Sequence, residues 1–318
     1  MFLVAATTLL LSQEGENYPH LKRVEWVVGS WTGHGNAPGF GAFEDEFVLE
    51  WTYDKNFIKS TYIMKSGGKV IWTDTGFLGW DGEKKRIVGI NFGMDGTIGW
   101  GRELESEKDT LVVEGRTAGP VVKEEFRAVF RKTGEDTMTV SCEFKKNGKY
   151  GNSWPAIKYD RKKSELTKVP DDPKARLNYE HLKGLEFLSG RWTGKGESVQ
   201  GAFDFETSYD WALNKNFLVT TGTARAMGQV VWTGTAWIGW DVDKKKIVWI
   251  GFSHDGTLFV GEAVETKEKN TLVVEGTAGT QRMRRTLRRT EDGLSLLIER
   301  DQEGAWVTDK KFALTRAK

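Results

Sequence analysis

The stretch GSWTGHG at residues 29–35 returns later in the chain as GRWTGKG at residues 190–196. The repetition continues at an offset of 160 or 161 residues. GAF at 41–43 recurs at 201–203, GWD at 79–81 recurs at 239–241, and LVVEG at 111–115 recurs at 272–276. A period of this length is that of a whole domain and not of a solenoid unit. The chain therefore contains two tandem copies of one domain.

The repeats also place the domain boundaries. Each copy opens with a short apolar run at helical spacing, residues 21–28 and 182–189, just before the signature glycine. Between the copies, residues 161–179 are charged and contain two prolines, which is typical of a linker. We predict a signal-like or disordered segment at 1–20, a first domain at 21–162, a linker at 163–180 and a second domain at 181–318.

Alternating side chains after each signature indicate β-strands. In residues 43–51 one face carries Phe43, Phe47, Leu49 and Trp51, and the opposite face is mostly acidic. By this alternation we assign most of the acids Asp45, Glu46, Asp204 and Glu206 to a solvated outer face. Asp-Gly pairs between the runs are turn signals, and no crossover helices separate the strands. We predict an all-β fold of two tandem antiparallel β-barrels, each with roughly 8–10 strands and a short helix before it.

The charge balance excludes one class of partner. The chain has 46 lysines and arginines against 45 aspartates and glutamates, interspersed along the sequence, so we expect no nucleic-acid partner. The single cysteine, Cys142, excludes a disulfide within the chain.

The N-terminus suggests export. Residues 1–12 are apolar and uncharged and are predicted to be part of a secretory signal, with a periplasmic or extracellular location. The alternative is an apolar N-terminus on a cytoplasmic protein. No other stretch is long and apolar enough to cross a bilayer as a helix, so we expect no stable membrane insertion.

A short helical turn, then Gly-x-Trp on the first strand, then up-and-down strands resembles the calycin superfamily, which includes the lipocalins. The fuller Gly-x-Trp-x-Gly-x-Gly form resembles the haem-binding nitrobindin barrels. The segments around Asn56-Phe57 and Gly79-Trp80-Asp81 resemble a bacterial family of the DUF1579 type. In calycins the signature tryptophan closes one barrel end beneath a basic side chain of a late strand. This resemblance assigns the closing role to Trp31 and Trp192, covered by Arg127 and Arg284 or by Arg131 and Arg288.

The nitrobindin resemblance implies haem held by a histidine near the end of the domain. Residues 145–160 and 301–318 contain no histidine. The remaining haem candidates are His34, which is a lysine in the second copy, and His254, which lies in a turn signal. No pair of histidines or cysteines has the spacing of a zinc site. We therefore expect no metal or cofactor, with haem as the alternative.

Catalytic motifs are also absent from the sequence. It has no Gly-x-Ser-x-Gly elbow and no phosphate-binding loop, so a binding protein is favoured over an enzyme.

A barrel of this size can hold one small ligand, and one strand of each copy is rich in aromatic and hydroxyl side chains. Such a lining suits a hydrophobic or amphipathic molecule. The first barrel is expected to have the larger cavity, because Trp249 replaces Gly89 in the second. The alternatives are a haem protein with nitric oxide or peroxynitrite chemistry, and a structural or interaction module with filled barrels. The cavity candidates are Trp72, Thr73, Thr75, Phe77, Thr233, Thr235, Trp237 and Trp249.

Overall fold

The computed structural model describes residues 15–37, 41–104, 107–152, 155–162, 166–199 and 201–317. The predicted signal at residues 1–12 lies outside the described residues. In the described part, no helix is long and apolar enough to cross a membrane. The predicted all-β fold of two tandem antiparallel barrels is confirmed.

The first barrel closes through ten strand positions. Strands β1 to β9 each pair with the next strand in the sequence, and β11 closes the barrel by pairing with both β9 and β1. The last position is split, because β10 and β11 both pair with β9. The strands are β1 (Gly29–Ala37), β2 (Gly41–Thr52), β3 (Phe57–Ser66), β4 (Lys69–Asp81), β5 (Arg86–Gly93), β6 (Ile98–Glu103), β7 (Thr110–Ala118), β8 (Glu125–Lys132), β9 (Thr137–Lys146), β10 (Lys149–Asn152) and β11 (Ile157–Arg161).

The second barrel is a closed ring of ten strands, in which the last strand is continuous and pairs with the first. Its strands are β12 (Gly190–Ser198), β13 (Gly201–Ala212), β14 (Phe217–Ala226), β15 (Gln229–Asp241), β16 (Lys246–Ser253), β17 (Leu258–Val264), β18 (Thr271–Ala278), β19 (Gln281–Arg289), β20 (Leu294–Gln302) and β21 (Ala305–Arg316).

A short helical segment covers one end of each barrel. Helices α1 (Tyr18–Leu21) and α2 (Tyr179–Leu182) continue into 3₁₀ turns at Lys22–Val27 and Lys183–Leu188, and a further short 3₁₀ turn spans Pro173–Ala175. The signature tryptophans are buried and tie these caps to the first strands through their indole N–H groups. Trp31 Nε1 donates to the Val27 carbonyl at 2.8 Å, and Trp192 Nε1 donates to the Leu188 carbonyl at 2.7 Å. The cap residues buried in the two cores are Leu21, Val24, Val27, Leu182, Leu185 and Leu188.

A third apolar core lies between the barrels. Phe77 stacks on Phe252 with ring centres 4.0 Å apart, and Phe92 stacks on Trp237 at 4.5 Å. Phe77 matches Trp237 in the repeat, and Phe92 matches Phe252, so each contact is made twice with the roles exchanged. That reciprocity is the mark of an isologous interface, as found in twofold dimers.

Asparagine side chains fasten the interface in both directions. Asn56 Nδ2 donates to the His254 carbonyl at 2.5 Å, and its repeat mate Asn216 donates to the Met94 carbonyl at 2.8 Å. The three residues before each asparagine, 53–55 and 213–215, all have positive φ angles between 46° and 65°. This left-handed conformation is unfavourable for non-glycine residues. The hydrogen bonds and packing across the interface hold it in place.

Candidate functional site

Most of the predicted cavity residues lie outside the barrels. On β4, Trp72, Leu78 and Trp80 pack into the first barrel's core, whereas Phe77 packs into the core between the barrels. Because side chains alternate along a strand, Thr73 and Thr75 share the outer face with Phe77. The prediction that this face lines a cavity was wrong, because the second barrel covers the outer wall there.

The second copy shows the same arrangement on β15. Trp237 stacks across the interface, and Thr235 Oγ1 lies 2.5 Å from the hydroxyl of Tyr53, which belongs to the first barrel. Thr233 shares this outer face by alternation. Of the eight predicted residues, only Trp72 and Trp249 point inward, each in its own barrel's core.

The arginines predicted to cover the signature tryptophans also lie elsewhere. The guanidinium of Arg161, on the last strand, sits 4.2 Å from the Trp31 ring centre and donates to the Val28 carbonyl. Arg316 and Arg289 take this place over Trp192, at 5.3 and 5.1 Å.

The four arginines named from the sequence instead lie on the outer wall or its edge. Arg127 and Arg284 pair with Glu114 and Glu275 there, by hydrogen bonds of 3.0 and 2.6 Å. Arg288 pairs with Glu268, and Arg131 is exposed. The prediction of these arginines as ring covers was wrong, because the rings are covered by Arg161 and Arg316 on the last strands β11 and β21, and by Arg289 at the end of β19.

Neither haem candidate faces a barrel interior. His34 is exposed on the outer wall, at the rim of a hollow of about 230 Å³ that Glu44 and Lys65 also line. His254 lies in a turn whose backbone accepts a hydrogen bond from the Asn56 side chain. The other two histidines, His20 and His181, stack on Trp80 and Trp240 at exposed positions beside the caps. Among the described residues no histidine is therefore placed to ligate haem inside a barrel, so the residues present do not fit that group.

A polar cluster inside the first barrel was missed by the sequence interpretation. Asp45 is only 1% exposed, and its two carboxylate oxygens accept hydrogen bonds from the hydroxyls of Tyr62 at 2.8 Å and Tyr159 at 2.7 Å. A second inward carboxyl, Asp74, accepts a bond of 3.0 Å from Trp72 Nε1. The first barrel thus encloses two carboxyl groups and two phenols at the end away from its helical cap.

Burial governs the protonation of this cluster. Loss of solvation raises the pKa of Asp74 to about 6, and the hydrogen bond from Trp72 opposes that rise. Burial also raises the pKa of Asp45, against the hydrogen bonds from Tyr159 and Tyr62. The phenol pKa values of Tyr62 and Tyr159 rise well above their usual range, mainly through burial. The Asp45 charge raises the pKa of Tyr159 further, and for Tyr62 the neighbouring Tyr159 acts ahead of Asp45. The tyrosines therefore remain donors, and Asp74 titrates near neutral pH.

The second barrel has no such cluster at the matched positions. Phe205 replaces Asp45, and its ring lies 4.6 Å from that of Phe312. Gly234 replaces Asp74, and a Cβ there would come within 2.7 Å of the Trp232 ring. The other two matches are Gly222 for Tyr62 and Leu314 for Tyr159. Aromatic rings therefore occupy the space that polar side chains fill in the first barrel.

The second barrel instead carries a cation in its interior. Arg285 shares the inward face of β19 with Met283 and Leu287, which pack into the core. Its guanidinium lies 4.1 Å from the Phe259 ring centre and 5.5 Å from that of Trp249. Ala128, Gly99 and Gly89 stand at the matched positions of the first barrel.

Several inward-facing side chains keep accessible surface. In the first barrel Phe126, Ala128 and Phe130 on β8, and Cys142 and Phe144 on β9, are only partly buried. In the second barrel the partly buried inward residues include Met283, Arg285 and Ile298. The barrel interiors are therefore not packed to completion along β8–β9 and β19–β20.

Comparison of the two repeats could have identified both Asp45 and Arg285 from the sequence. Asp45 stands at an inward position of the alternation and matches a phenylalanine, which distinguishes it from its acidic neighbours Glu44 and Glu46. Arg285 likewise occupies the inward parity between Met283 and Leu287.

Comparison with known proteins finds solved structures that resemble the chain at low sequence identity. No family model matches it, and no curated protein sequence does. The solved structure of Rv2717c from M. tuberculosis is 20% identical with a TM-score of 0.37, and the match covers 46% of this chain and 100% of that one. A protein of unknown function from the DUF3598 family of Nostoc punctiforme is 13% identical with a TM-score of 0.25. That match covers 94% of this chain and 99% of the other protein's chain.

Proposed function

We propose that the chain is a non-enzymatic binding protein that carries a small amphipathic molecule inside its barrels. The observation that carries this proposal is the set of inward-facing side chains that remain partly accessible. In a barrel filled only by its own side chains, an interior row such as Phe126, Ala128 and Phe130 would be fully buried. An apolar ligand body is the natural complement of this row.

The polar groups account for the amphipathic character of the ligand. In the first barrel Asp45 and Asp74 lie at one end and the phenylalanine row lies along β8, so the interior offers a polar end and an apolar wall. Binding sites for small molecules combine a mostly apolar lining with a few placed polar groups in this way.

The proposal is tested by native mass spectrometry of the chain purified from its own host, followed by titration with the uncharged fluorescent probe N-phenyl-1-naphthylamine. We expect a bound small molecule in the first experiment and saturable binding after its removal in the second. The Gly89→Trp variant places in the first barrel the side chain that the second already has. A Cβ at Gly89 lies 3.2 Å from a methyl of Leu78, a flexible side chain, so the variant is expected to fold.

Gly89→Trp should reduce the amount of probe bound, because the new ring occupies the first barrel's interior. Arg102→Trp is the matched control, since Arg102 lies on the outer wall of the adjacent strand with a side chain 54% exposed. A clean apo mass together with no saturable probe binding would overturn the proposal and leave the filled-barrel interpretation. Equal loss in both variants would also count against an interior site.

A further inference from the structure

The second barrel contains an interior cation, Arg285, that has no acidic partner among the described residues. Among the described residues no carboxylate pairs with the Arg285 guanidinium, and its Nε is buried without a hydrogen-bond acceptor. Its neighbour Arg284 shows the ordinary case, since it lies on the outer wall and donates twice to Glu275. The aromatic faces of Phe259 and Trp249 are the contacts that Arg285 makes in the interior.

Such a group is costly in a folded protein. The Arg285 Nε–H is buried away from water and has no acceptor, because ring faces do not replace an oxygen acceptor. Burial lowers the pKa of Arg285 to about 10, so the side chain still carries its charge at neutral pH. Interior charges are ordinarily paired, and an unpaired one calls for a partner of opposite charge.

Two further polar groups lie near Arg285. Trp249 Nε1 is buried without a partner in the same part of the barrel. The Tyr209 side chain is buried and lies close enough for its charge state to influence Arg285. Burial raises the pKa of Tyr209 to about 12, so it remains a neutral hydroxyl. The interior therefore presents two N–H groups without acceptors, Arg285 Nε–H and Trp249 Nε1–H.

We propose that the second barrel binds the carboxylate of a small organic acid, with Arg285 as a two-pronged donor and Trp249 Nε1 as an additional one. A planar guanidinium matches the two oxygens of a carboxylate. The partly buried Met283 and Ile298 beside Arg285 supply an apolar surface for the rest of the acid. This inference rests on the proposed function and names the ligand class for one of its two barrels.

The first barrel does not fit the same ligand. It has Ala128 in place of Arg285, and its interior already holds the carboxyl groups of Asp45 and Asp74. Like charges in a common interior repel, so the acid is expected to bind to one barrel only.

Calorimetric titration of the full chain with sodium decanoate, decan-1-ol and sodium acetate tests the inference. We expect the wild-type chain to bind decanoate at least tenfold more tightly than the uncharged alcohol of equal length. In Arg285→Met this preference is lost, with decanoate weakened roughly 10- to 100-fold and decanol little changed. Arg284→Met, one residue away on the outer wall, should keep the wild-type preference. Thermal melts of all variants, and Arg285→Lys, which keeps the charge without the planar fork, separate loss of binding from loss of fold.

Each outcome separates the two proposals. If decanol and decanoate bind equally, or if Arg285→Met keeps the preference for decanoate, the carboxylate site is wrong and the carrier function stands. If acetate binds as tightly as decanoate and both are lost in Arg285→Met, the anion site stands and the carriage of an amphipathic molecule is wrong. If none of the three binds at millimolar concentration, both are overturned.

Discussion

The two barrels have the same backbone plan and opposite interiors. The first encloses Asp45 and Asp74 with two tyrosine hydroxyls, whereas the second places phenylalanine and glycine at those positions and encloses Arg285. Meanwhile the helical caps, the signature tryptophans and the asparagine bonds across the interface occur in both copies. The ends and the shared wall are therefore fixed by packing, whereas the interiors have diverged in chemistry.

Phe205→Asp has the largest expected effect on stability, because it gives the second barrel the acid of the first without its tyrosines. We expect a loss of about 4 kcal/mol or more in the free energy of unfolding, from the missing ring and the unpaired buried carboxyl. Urea unfolding followed by circular dichroism measures it.

Asp204→Ala is the control for this change, since Asp204 is the exposed neighbour of Phe205 and pairs with Lys195 at the surface. That variant should change stability by less than about 0.5 kcal/mol. If Phe205→Asp were as mild as the control, the second barrel's interior would have to be hydrated at that position.

Asp74→Asn tests how the stability of the first barrel depends on pH. The pKa of Asp74 is raised by burial from 3.8 to about 6, so the native state favours the protonated acid, and wild-type stability falls as the pH rises through this range. The amide keeps an acceptor for Trp72 and does not titrate. We expect the variant to match the wild type below about pH 4 and to exceed it by about 1–3 kcal/mol at pH 8.

Chemical denaturation from pH 4 to pH 8 provides the measurement for Asp74→Asn. Asp204→Asn should run parallel to the wild type across this range, because its side chain is exposed. A constant offset between Asp74→Asn and the wild type at every pH would show that Asp74 does not titrate in this window.

Tyr53→Phe tests a small asymmetry in the shared wall. The hydroxyl of Tyr53 bonds to Thr235, but the repeat mate of Tyr53 is Leu213, so the opposite side has no such bond. We expect a loss of about 0.5–1.5 kcal/mol in the free energy of unfolding. A double-mutant cycle with Thr235→Val isolates the pair. A coupling energy of zero would show that this hydrogen bond does not stabilise the interface.

The sequence was sufficient for the architecture, because a repeated signature, period-two alternation and turn residues are local patterns. It was insufficient for locating the cavity, because Phe77 and Trp237 lie on a strand face that is apolar since it packs against the other barrel. In β16 both faces are apolar, Ile247 and Trp249 on one side and Val248, Ile250 and Phe252 on the other. Such a run indicates a strand buried on both sides, but only the assembled structure shows that the second cover is the other barrel.

The reciprocal interface resembles that of a dimer, but the two barrel interiors can acquire substitutions independently. In a dimer of identical chains with this geometry, every substitution would appear twice, so an arginine gained by one barrel would be gained by both. Here the partner halves are joined by the chain, which keeps them at a high effective concentration and lets each vary alone. Covalent joining thus turns a symmetric pair into two compartments with separate chemical identities, an acidic one and a basic one, held against a common wall.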